Sequence, residues 1–474
     1  MKLTTVDIEK IVRQVIADLS ETSPLASQVQ YKKEQGEDGV FEKMQDAIEA
    51  AKDAQKEFSR YTLEDRKRLI DAIRTVCSQN AEDLARRVWQ ETRMGRYEDK
   101  IQKHRVVIEK TPGTECLTTD AISGDTGLML EEYGPYGVIG AITPTTNPTE
   151  TIINNTISMI AGGNSVVYNV HPAAKRVCAY CLQLIHRTIV NNGGPKNLIT
   201  MVKEPTMETV KVMTESPHIR LMVGTGGMPM VNALLRSGKK TIGAGAGNPP
   251  VVIDETADLE LAAKEIYHGA SFDNNLLCLA EKEVFVVKDV LNPFLSLMQE
   301  QGAYLLSDEQ TARLLNIVYK QENGKYEVNK QWVGQDAGKM LRELGITNDK
   351  IRLLLCKTNH DHPFVMVEQL MPILPVVGCD NFEQAVEWAI KAENGNRHTA
   401  SMFSKNVDHM TYFAKRIETT VFVKNGSTLR GVGIGGEGYT TMTIAGPTGE
   451  GLTCAKSFTR RRRCQLADGG LRIV

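Results

Sequence analysis

Short apolar runs that alternate with helical segments constrain the fold of this 474-residue chain more than any other feature. A first set comprises YGVIGAI, NSVVYNV, NLITMV, IRLMVGT and TIGAGAGNPPVVI. A second set follows Ile253 and comprises KEVFVVKDV, IRLLLCK, MPILPVVG, TASMFSK and TTVFVKN. Strand–helix alternation of this kind predicts parallel, doubly wound sheets. Because single cores stop growing near about 250–300 residues, we expect an α/β fold with two such layers.

The segments before the first apolar run are predicted to be helical. The chain opens with an amphipathic pattern whose apolar stripe consists of Ile8, Ile11, Val12, Val15, Ile16 and Leu19. The polar stretch Ser20 to Gly39 is typical of a linker, and helical periodicity resumes from Val40 to about Gly113. A short helix separated from the rest of the chain by a linker folds back on the chain, is a frayed end, or binds a partner to cover its stripe. We expect it to bind a partner.

Composition excludes several classes of protein. The formal net charge of −2 gives no electrostatic footprint for nucleic acid, and the basic run Arg460 to Arg463 is interpreted as a solvated or salt-bridged strand end. No window holds the ~18 uninterrupted apolar residues that a membrane span requires, so we expect a soluble protein. Nine cysteines without a secretory signal indicate reduced thiols in the cytoplasm. Cys178 and Cys181 lie in a helical pattern, which favours cysteines on a helix face over a metal or redox pair.

Cys278 stands alone in the stretch SFDNNLLCLAEKEVFVV, between a helix-like and a strand-like apolar run. A lone cysteine there is a core residue, a redox partner or a nucleophile. A free thiol has a pKa near ~8.5, which helix N-termini or cations lower and apolar burial raises. These residues alone leave the three interpretations open.

Several motifs in fixed order resolve the question. They are TPTTNP, GNSVVYNVHPAAK, VGTGG, GAGAGNPPVVIDETAD, GASFDNNLLCLAEK, EQLMPILPVV and GIGGEGYTTMTIAGPTGEG. With these motifs the chain from about Val40 to its end resembles the aldehyde dehydrogenase superfamily. Within it, the chain resembles the CoA-acylating branch found with bacterial microcompartments. The resemblance implies two doubly wound α/β domains and a small oligomerisation element.

The domain boundaries implied by this resemblance are as follows. Residues 1–39 form the targeting helix and linker, 40–118 and 135–248 the cofactor-binding domain, 249–440 the catalytic domain, and 119–134 and 441–474 the oligomerisation or bridging element.

The resemblance also implies the catalytic residues. Cys278 is the nucleophile, which adds to an aldehyde and carries the acyl group as a thioester. Asn147 donates to the oxyanion, although the same residue before Pro148 also suits a plain turn. Hydrolytic relatives carry a water-activating glutamate where this chain has Ala244, so we expect CoA to be the acyl acceptor. Glu281 and Glu283 are expected to point to solvent.

The cofactor site is implied at strand ends, since no G-x-G-x-x-G follows a strand. The matching positions for NAD are Thr143, Pro144, Thr145, Thr146, Asn169, His171, Pro172, Thr225, Gly226 and Gly227. Glu368 is the expected partner of the nicotinamide ribose. Asn169 stands where many relatives have lysine, which leaves NAD or NADP open, with NAD the default. His398 is a second-tier candidate for accepting the CoA thiol proton, and no metal is expected.

The sequence therefore predicts an enzyme that reversibly oxidises a short-chain aldehyde of the propanal or acetaldehyde class to acyl-CoA. The alternatives are a hydrolytic NAD-dependent aldehyde dehydrogenase and a non-catalytic structural member of the fold. As partners we expect a microcompartment shell protein, bound by residues 1–19, and further copies of the chain in a dimer or tetramer. The expected location is the cytoplasm, within a bacterial microcompartment.

Overall fold

The computed structural model describes residues 36–322 and 324–467. The predicted targeting helix and most of its linker lie outside these residues. The helices are α1 Met44–Phe58, α2 Leu63–Gln79, α3 Ala81–Thr92, α4 Tyr97–Lys110, α5 Pro148–Ala161, α6 Lys175–Asn191, α7 Met207–Glu215, α8 Met228–Leu235, α9 Leu259–Ser271, α10 Lys288–Glu300, α11 Asp308–Val318, α12 Ala337–Glu343, α13 Pro363–Met366, α14 Phe382–Glu393 and α15 Val407–Ile417. Among the described residues, no helix is long and apolar enough to cross a membrane.

The strands, also in chain order, form five sheets. They are β1 Val40–Phe41, β2 Asp120–Gly124, β3 Gly127–Pro135, β4 Val138–Ile142, β5 Ser165–Asn169, β6 Ile199–Val202, β7 Ile219–Thr225, β8 Lys240–Ala244, β9 Pro250–Ile253, β10 Glu283–Val287, β11 Tyr304–Leu306, β12 Tyr319–Glu322, β13 Lys325–Val328, β14 Leu354–Thr358, β15 Ile373–Cys379, β16 Thr399–Phe403, β17 Val421–Lys424, β18 Ile444–Ala445, β19 Gly451–Leu452 and β20 Thr459–Ala467.

Two parallel sheets carry the fold. The first has the order β1-β6-β5-β4-β7-β8 and the second the order β11-β14-β15-β10-β9-β16-β17. Their central strands are buried along their whole length, as expected where helices cover both faces of a parallel sheet. Nine of the ten apolar runs predicted as strands each overlap one strand of these sheets. The grouping of TIGAGAGNPPVVI as one run was wrong, because its residues belong to two strands, β8 of the first sheet and β9 of the second.

A three-stranded antiparallel sheet, with the order β2-β3-β20, stands apart from the two parallel sheets. The basic run Arg460 to Arg463 lies in β20 and is exposed, and Arg461 and Arg463 pair with Glu131 of β3. The interpretation of this run as a salt-bridged strand is therefore confirmed. Cys178 and Cys181 lie buried in α6, as their helical periodicity predicted.

Candidate active site

The residues predicted to bind the cofactor lie where the strand order of the first sheet changes direction. Ile142, at the end of β4, pairs with Asn169 of β5 on one side and with Gly224 of β7 on the other. The chain passes from β4 to β5 toward one edge of the sheet, whereas it passes from β7 to β8 toward the other edge. In open α/β sheets ligands bind in the crevice at such a point, outside the carboxyl ends of the strands. The loops after β4 and β7 border this crevice.

Two features of this crevice fit a nucleotide. The side chain of Thr143, which directly follows β4, is 2% exposed, and its hydroxyl oxygen has no hydrogen-bond partner among the described residues. Gly227 precedes α8, and a Cβ atom at that position would meet only Cδ of Pro229, at 3.7 Å. The backbone at the start of α8 is thus accessible, and helix N-termini present free N–H groups to phosphate. Pro144, Thr145 and Thr146 form a half-buried segment beside Thr143.

Three other predicted cofactor residues use their side chains within the protein. The Oδ1 of Asn169 accepts a hydrogen bond from the Thr209 hydroxyl at 2.8 Å. The Thr225 hydroxyl lies 2.8 Å from that of Thr443. His171 is exposed and accepts a hydrogen bond from the Ala173 backbone N–H at 3.2 Å, in the turn that begins at Pro172. Because these side-chain atoms already have hydrogen-bond partners, a ligand at this site would be bound by the backbone N–H and C=O groups of the three residues.

The loop that presents Cys278 is held in an uncommon backbone conformation. Asp273, Asn274 and Asn275 have φ values of 47°, 55° and 63°, in the left-handed region that Asp and Asn tolerate best among residues with side chains. The two Asn275 Nδ2 hydrogens go to the carbonyl oxygens of Ala270 and Glu281, each at 2.9 Å. These buried bonds fix the path of the chain from α9 to Cys278, which is partly exposed.

A buried lysine underlies this loop. Lys282 Nζ donates to the carbonyl oxygens of Asn275 and Leu277, at 3.0 and 2.9 Å, and also to Oδ1 of Asn275. Burial lowers the pKa of Lys282 to about 8. Burial likewise raises the pKa of the Cys278 thiol to about 12, a shift that Glu368 increases and Lys282 opposes. Lys282 is therefore the cation that favours the Cys278 thiolate.

Glu368 and His398 lie near Cys278, although they are distant in sequence. The Gly247 backbone N–H donates to Oε1 of Glu368 at 3.2 Å. A Cβ atom on Gly247 would lie 2.4 Å from the Cys278 carbonyl oxygen and 2.9 Å from Cγ of His398, so no larger residue fits between them. Burial raises the pKa of Glu368 to about 7. The structure thus brings Cys278, Glu368 and His398 around one glycine.

His398 is neutral at ordinary pH. Its Nδ1 lies 2.9 Å from the Thr399 hydroxyl, and its buried Nε2 has no partner among the described residues. Burial and, to a smaller extent, Lys282 lower the pKa of His398 to about 4. A neutral imidazole with one free ring nitrogen is suited to exchange a proton with a ligand.

The prediction that Glu281 and Glu283 point to solvent was wrong. Both side chains are fully buried: Glu283 begins the central strand β10, whose sheet has helices on both faces, and Glu281 lies just before β10, where its carboxylate meets the Thr428 backbone. Burial raises the pKa of Glu281 to about 7 and that of Glu283 well above the ordinary value. Glu281 accepts a hydrogen bond from the Thr428 backbone N–H at 2.8 Å. Neighbouring positions of a central strand both lack access to water, so alternation does not predict exposure there.

Asn147 occupies the N-cap position of α5, yet its side chain makes no capping bond. Its Oδ1 instead accepts a hydrogen bond from Lys103 Nζ at 2.7 Å, and its Nδ2 donates to the Thr146 hydroxyl at 3.3 Å. Asparagine is a preferred N-cap because its side chain usually bonds the first helical N–H groups. The alternative of a plain turn residue does not account for a side chain directed to a buried lysine.

Lys103 belongs to a buried ionic cluster, which consists of Lys100, Lys103, Glu150 and Asp273. Lys103 Nζ lies 2.6 Å from Oδ2 of Asp273 and 3.3 Å from Oε1 of Glu150, and Lys100 Nζ lies 3.1 Å from the same Asp273 oxygen. Two cations and two carboxylates make the cluster neutral, which is the condition for burying charges at tolerable cost. One of these buried charges, the Lys103 ammonium, therefore lies directly beside the amide of Asn147.

Sequence reasoning missed Lys103, Asp273 and Lys282. One signal was available for Lys103, because Lys100, Lys103, His104 and Val107 share the buried face of α4 at spacings of three and four. Two lysines and a histidine on the helix face that also carries Val107 and Ile108 indicate a buried ion cluster. No comparable periodicity marks Lys282. Among the described residues, no group of three or more His, Cys, Asp or Glu side chains is arranged to hold a metal ion.

The fold is that of an aldehyde dehydrogenase. The aldehyde dehydrogenase family matches residues 19–442, and the chain belongs to that family. The resemblance read from the motifs and the fold expected from it are thereby confirmed.

Its relatives include enzymes of the acylating branch. The acetaldehyde dehydrogenase (acetylating) EutE of Salmonella typhimurium is 45% identical over 472 residues, which cover 99% of each chain. A propionaldehyde dehydrogenase from the Clostridium phytofermentans fucose utilisation bacterial microcompartment is 48% identical, with a TM-score of 0.89 over 91% of this chain and 99% of that one. The Rhodopseudomonas palustris propionaldehyde dehydrogenase, solved with bound CoA and an acylated cysteine, is 48% identical with a TM-score of 0.89, over 91% and 98% of the two chains.

Proposed function

We propose that this protein is a CoA-acylating aldehyde dehydrogenase, which converts a short-chain aldehyde, NAD⁺ and CoA into acyl-CoA, NADH and a proton. The observation that carries the proposal is the similarity to an enzyme solved with CoA and an acylated cysteine. The family and the acylating relatives make this chain an oxidoreductase that uses NAD and CoA. Acetaldehyde and propanal are the substrates named for the relatives, and we assign the same class here.

In this mechanism Cys278 attacks the aldehyde carbon as a thiolate. Lys282 favours the thiolate electrostatically, and the buried loop from Asp273 to Asn275 holds the sulfur in place. The side-chain N–H of Asn147 and the backbone N–H of Cys278 stabilise the oxyanion of the adduct. NAD supplies the hydride acceptor when it is bound, and the acyl group then remains on Cys278 as a thioester. We assign Thr143 and the backbone from Thr225 to Gly227 to hold NAD, and Glu368 to contact the nicotinamide ribose of NAD.

Release of the acyl group requires a nucleophile. The methyl group of Ala244, at the end of β8, is 3% exposed and cannot activate water. A thiol is a better nucleophile toward a thioester than unactivated water, so CoA takes the acyl group. The neutral His398 is placed to accept the proton of the CoA thiol. Exchange of one thioester for another is nearly isoenergetic, which makes the overall reaction reversible.

Further copies of the chain and a shell are the proposed partners. The sheet β2-β3-β20 is exposed, with Ile122 of β2 at 65% and Leu466 of β20 at 50% exposure. We assign residues 119–134 and 441–474, which contain this sheet, to contacts between copies in a dimer or tetramer. We also propose the other two domains predicted from the sequence. Residues 40–118 and 135–248 form the cofactor-binding domain, and residues 249–440 form the catalytic domain. We assign residues 1–19 to shell binding and the enzyme to a bacterial microcompartment, since one relative comes from such a compartment.

The test is an assay of NADH formation from propanal, with and without CoA, combined with identification of the products. One equivalent of NADH per active site without CoA, followed by turnover and propanoyl-CoA formation on its addition, supports the proposal. Continuous turnover without CoA, with propanoate as product, would instead indicate the hydrolytic alternative. Absence of NADH under both conditions, in folded protein, would indicate a non-catalytic member of the fold.

A further inference from the structure

The side-chain amide of Asn147 has to present its N–H₂ group, and not its oxygen, to an oxyanion. An amide can bind in either of two orientations that differ by a half turn, and the neighbouring groups select between them. Lys103 Nζ lies 2.7 Å from the Asn147 oxygen. An ammonium has three donors and no acceptor, so only the amide oxygen is able to face it.

Lys103 is itself held in one place. Its side chain is fully buried, and its Nζ lies 2.6 Å from Asp273 and 3.3 Å from Glu150. Although burial acts to lower it, the pKa of Lys103 is raised above the ordinary value by these two carboxylates, so the side chain remains an ammonium. The donor that faces Asn147 is therefore always present.

The same ammonium connects the two parts of the active site. Asn147 follows strand β4 of the first sheet, whereas Asp273 lies in the loop that leads to Cys278 and the second sheet. Asp273 Oδ1 also accepts a hydrogen bond from the Arg96 backbone N–H at 2.8 Å, at the start of the helix that carries Lys103. Lys103 thus contacts the oxyanion donor and the nucleophile loop through a single atom.

We propose that Lys103 is a positioning residue for the reaction, which orients the Asn147 amide toward the oxyanion and fixes it relative to the Cys278 loop. This inference rests on the proposed function. Removal of Lys103 frees the amide to rotate and present its oxygen, which repels the developing negative charge. Removal of Lys103 should therefore lower the rate of the acyl-forming step, and only when Asn147 is present.

Lys100 offers a matched control. It is a second buried lysine on the same helix, and it contacts the same Asp273 oxygen at 3.1 Å, but no hydrogen bond joins it to Asn147. Lys100→Met and Lys103→Met each remove one positive charge from the same cluster. A purely structural role would make the two variants behave alike.

The experiment measures the NADH burst rate and kcat for propanal in wild type, K103M, K100M, N147A and the two double variants. N147A is expected to lose about 10²–10³-fold, as for other oxyanion donors. K103M is expected to lose about tenfold or more in wild type and less than about threefold in N147A, whereas the K100M loss is the same in both backgrounds. The KM for NAD and the iodoacetamide labelling rate of Cys278 should change little in K103M.

Equal losses for K103M with and without Asn147, or full activity of folded K103M, would overturn the inference. If K103M does not fold, K103Q replaces it in the same cycle; its amide can offer Asn147 either an acceptor or a donor, so it no longer selects one orientation and the coupling to Asn147 should persist. Wild type that forms no propanoyl-CoA would overturn the proposed function and the role of Lys103 with it. Active wild type without coupling overturns only the role of Lys103.

Discussion

Lys282 donates a hydrogen bond to the backbone carbonyl of Leu277, at 2.9 Å, one residue before the proposed nucleophile Cys278. The same ammonium opposes the rise in the Cys278 pKa that burial causes. One buried side chain therefore supports the shape of the loop and the ionisation of the thiol it presents.

The role of Lys282 predicts a pH dependence. The pKa of Cys278 is about 12, so its thiolate fraction and its alkylation rate by iodoacetamide should rise about tenfold per pH unit from pH 6. Lys282→Met raises this pKa further and should slow alkylation about tenfold. The difference from wild type should shrink above pH 8, where Lys282 itself loses its proton. Mass spectrometry of labelled Cys278 from pH 6 to 9 measures both effects.

The control for this experiment is Lys357→Met, which removes an exposed lysine at the end of β14 and should label at the wild-type rate. Equal labelling of folded K282M and wild type at pH 7 would show that Lys282 has no electrostatic role.

Replacement of the nucleophile should abolish the chemistry. Cys278→Ser is expected to fold normally but to lose activity by at least about 10³-fold, because a serine alkoxide is not accessible near neutral pH without an activating base. NADH formation from propanal with CoA measures the loss. Cys464→Ser, which removes an exposed thiol in β20, is the control and should retain activity. Substantial aldehyde oxidation by C278S would remove Cys278 from the mechanism.

The acyl acceptor should change when a base is added to β8. Ala244→Glu is expected to divert part of the product from propanoyl-CoA to propanoate, since a carboxylate there is able to activate water. Ala244→Gln has nearly the same shape but no base, and should release no extra propanoate. Chromatographic measurement of the product ratio distinguishes them. An unchanged ratio in well-folded A244E would contradict the assignment of this position.

Stability should depend on pH through Glu283. Its pKa is raised by burial, so the folded protein favours the neutral acid and loses stability as pH rises above the ordinary value near 4.5. Glu283→Gln should therefore raise the melting temperature at pH 8 and leave it nearly unchanged at pH 4.5. Glu265, whose pKa is lowered by its hydrogen bonds to Arg430, predicts the opposite sign, and E265Q should be less stable than wild type at pH 8. Melting curves at the two pH values provide the test, and lower stability of E283Q at pH 8 would contradict it.

The N-terminal segment should act in targeting and not in catalysis. The polar positions of its amphipathic sequence pattern are mixed in charge, with Asp7, Glu9, Lys10, Arg13, Gln14 and Asp18, and lack the Lys/Arg bias of helices that bind anionic membranes. Residues 1–21 fused to a fluorescent protein should form foci in cells that make shells, and a fusion with Ile11 and Val15 replaced by Lys should remain diffuse. Diffuse fluorescence of the unaltered fusion, with shells present, would refute the targeting role. Deletion of the segment should leave turnover intact.

The sequence by itself determined the two parallel sheets, and through the family resemblance it singled out Cys278 as the proposed nucleophile. Apolar runs that must be buried on both faces, such as VIGAI of β4 and EVFVV of β10, are local features that a parallel sheet requires. The motif around Cys278 likewise lies within one continuous stretch. The hypothesis that Ala244 stands where hydrolytic relatives have a base also depends on a local feature, the segment GNPP that follows it closely in the chain.

Only the tertiary structure decided which charged side chains are buried and what they contact. Lys103 and Asp273 are 170 positions apart, and Glu368 meets Gly247 across more than a hundred residues. The pKa of a side chain depends on the dielectric and the charges around it in space, which the order of residues does not specify. For this reason Glu281 and Glu283 looked like solvent-exposed residues in the sequence, while the tertiary structure buried Glu283 in the central strand β10 and Glu281 against the backbone of Thr428.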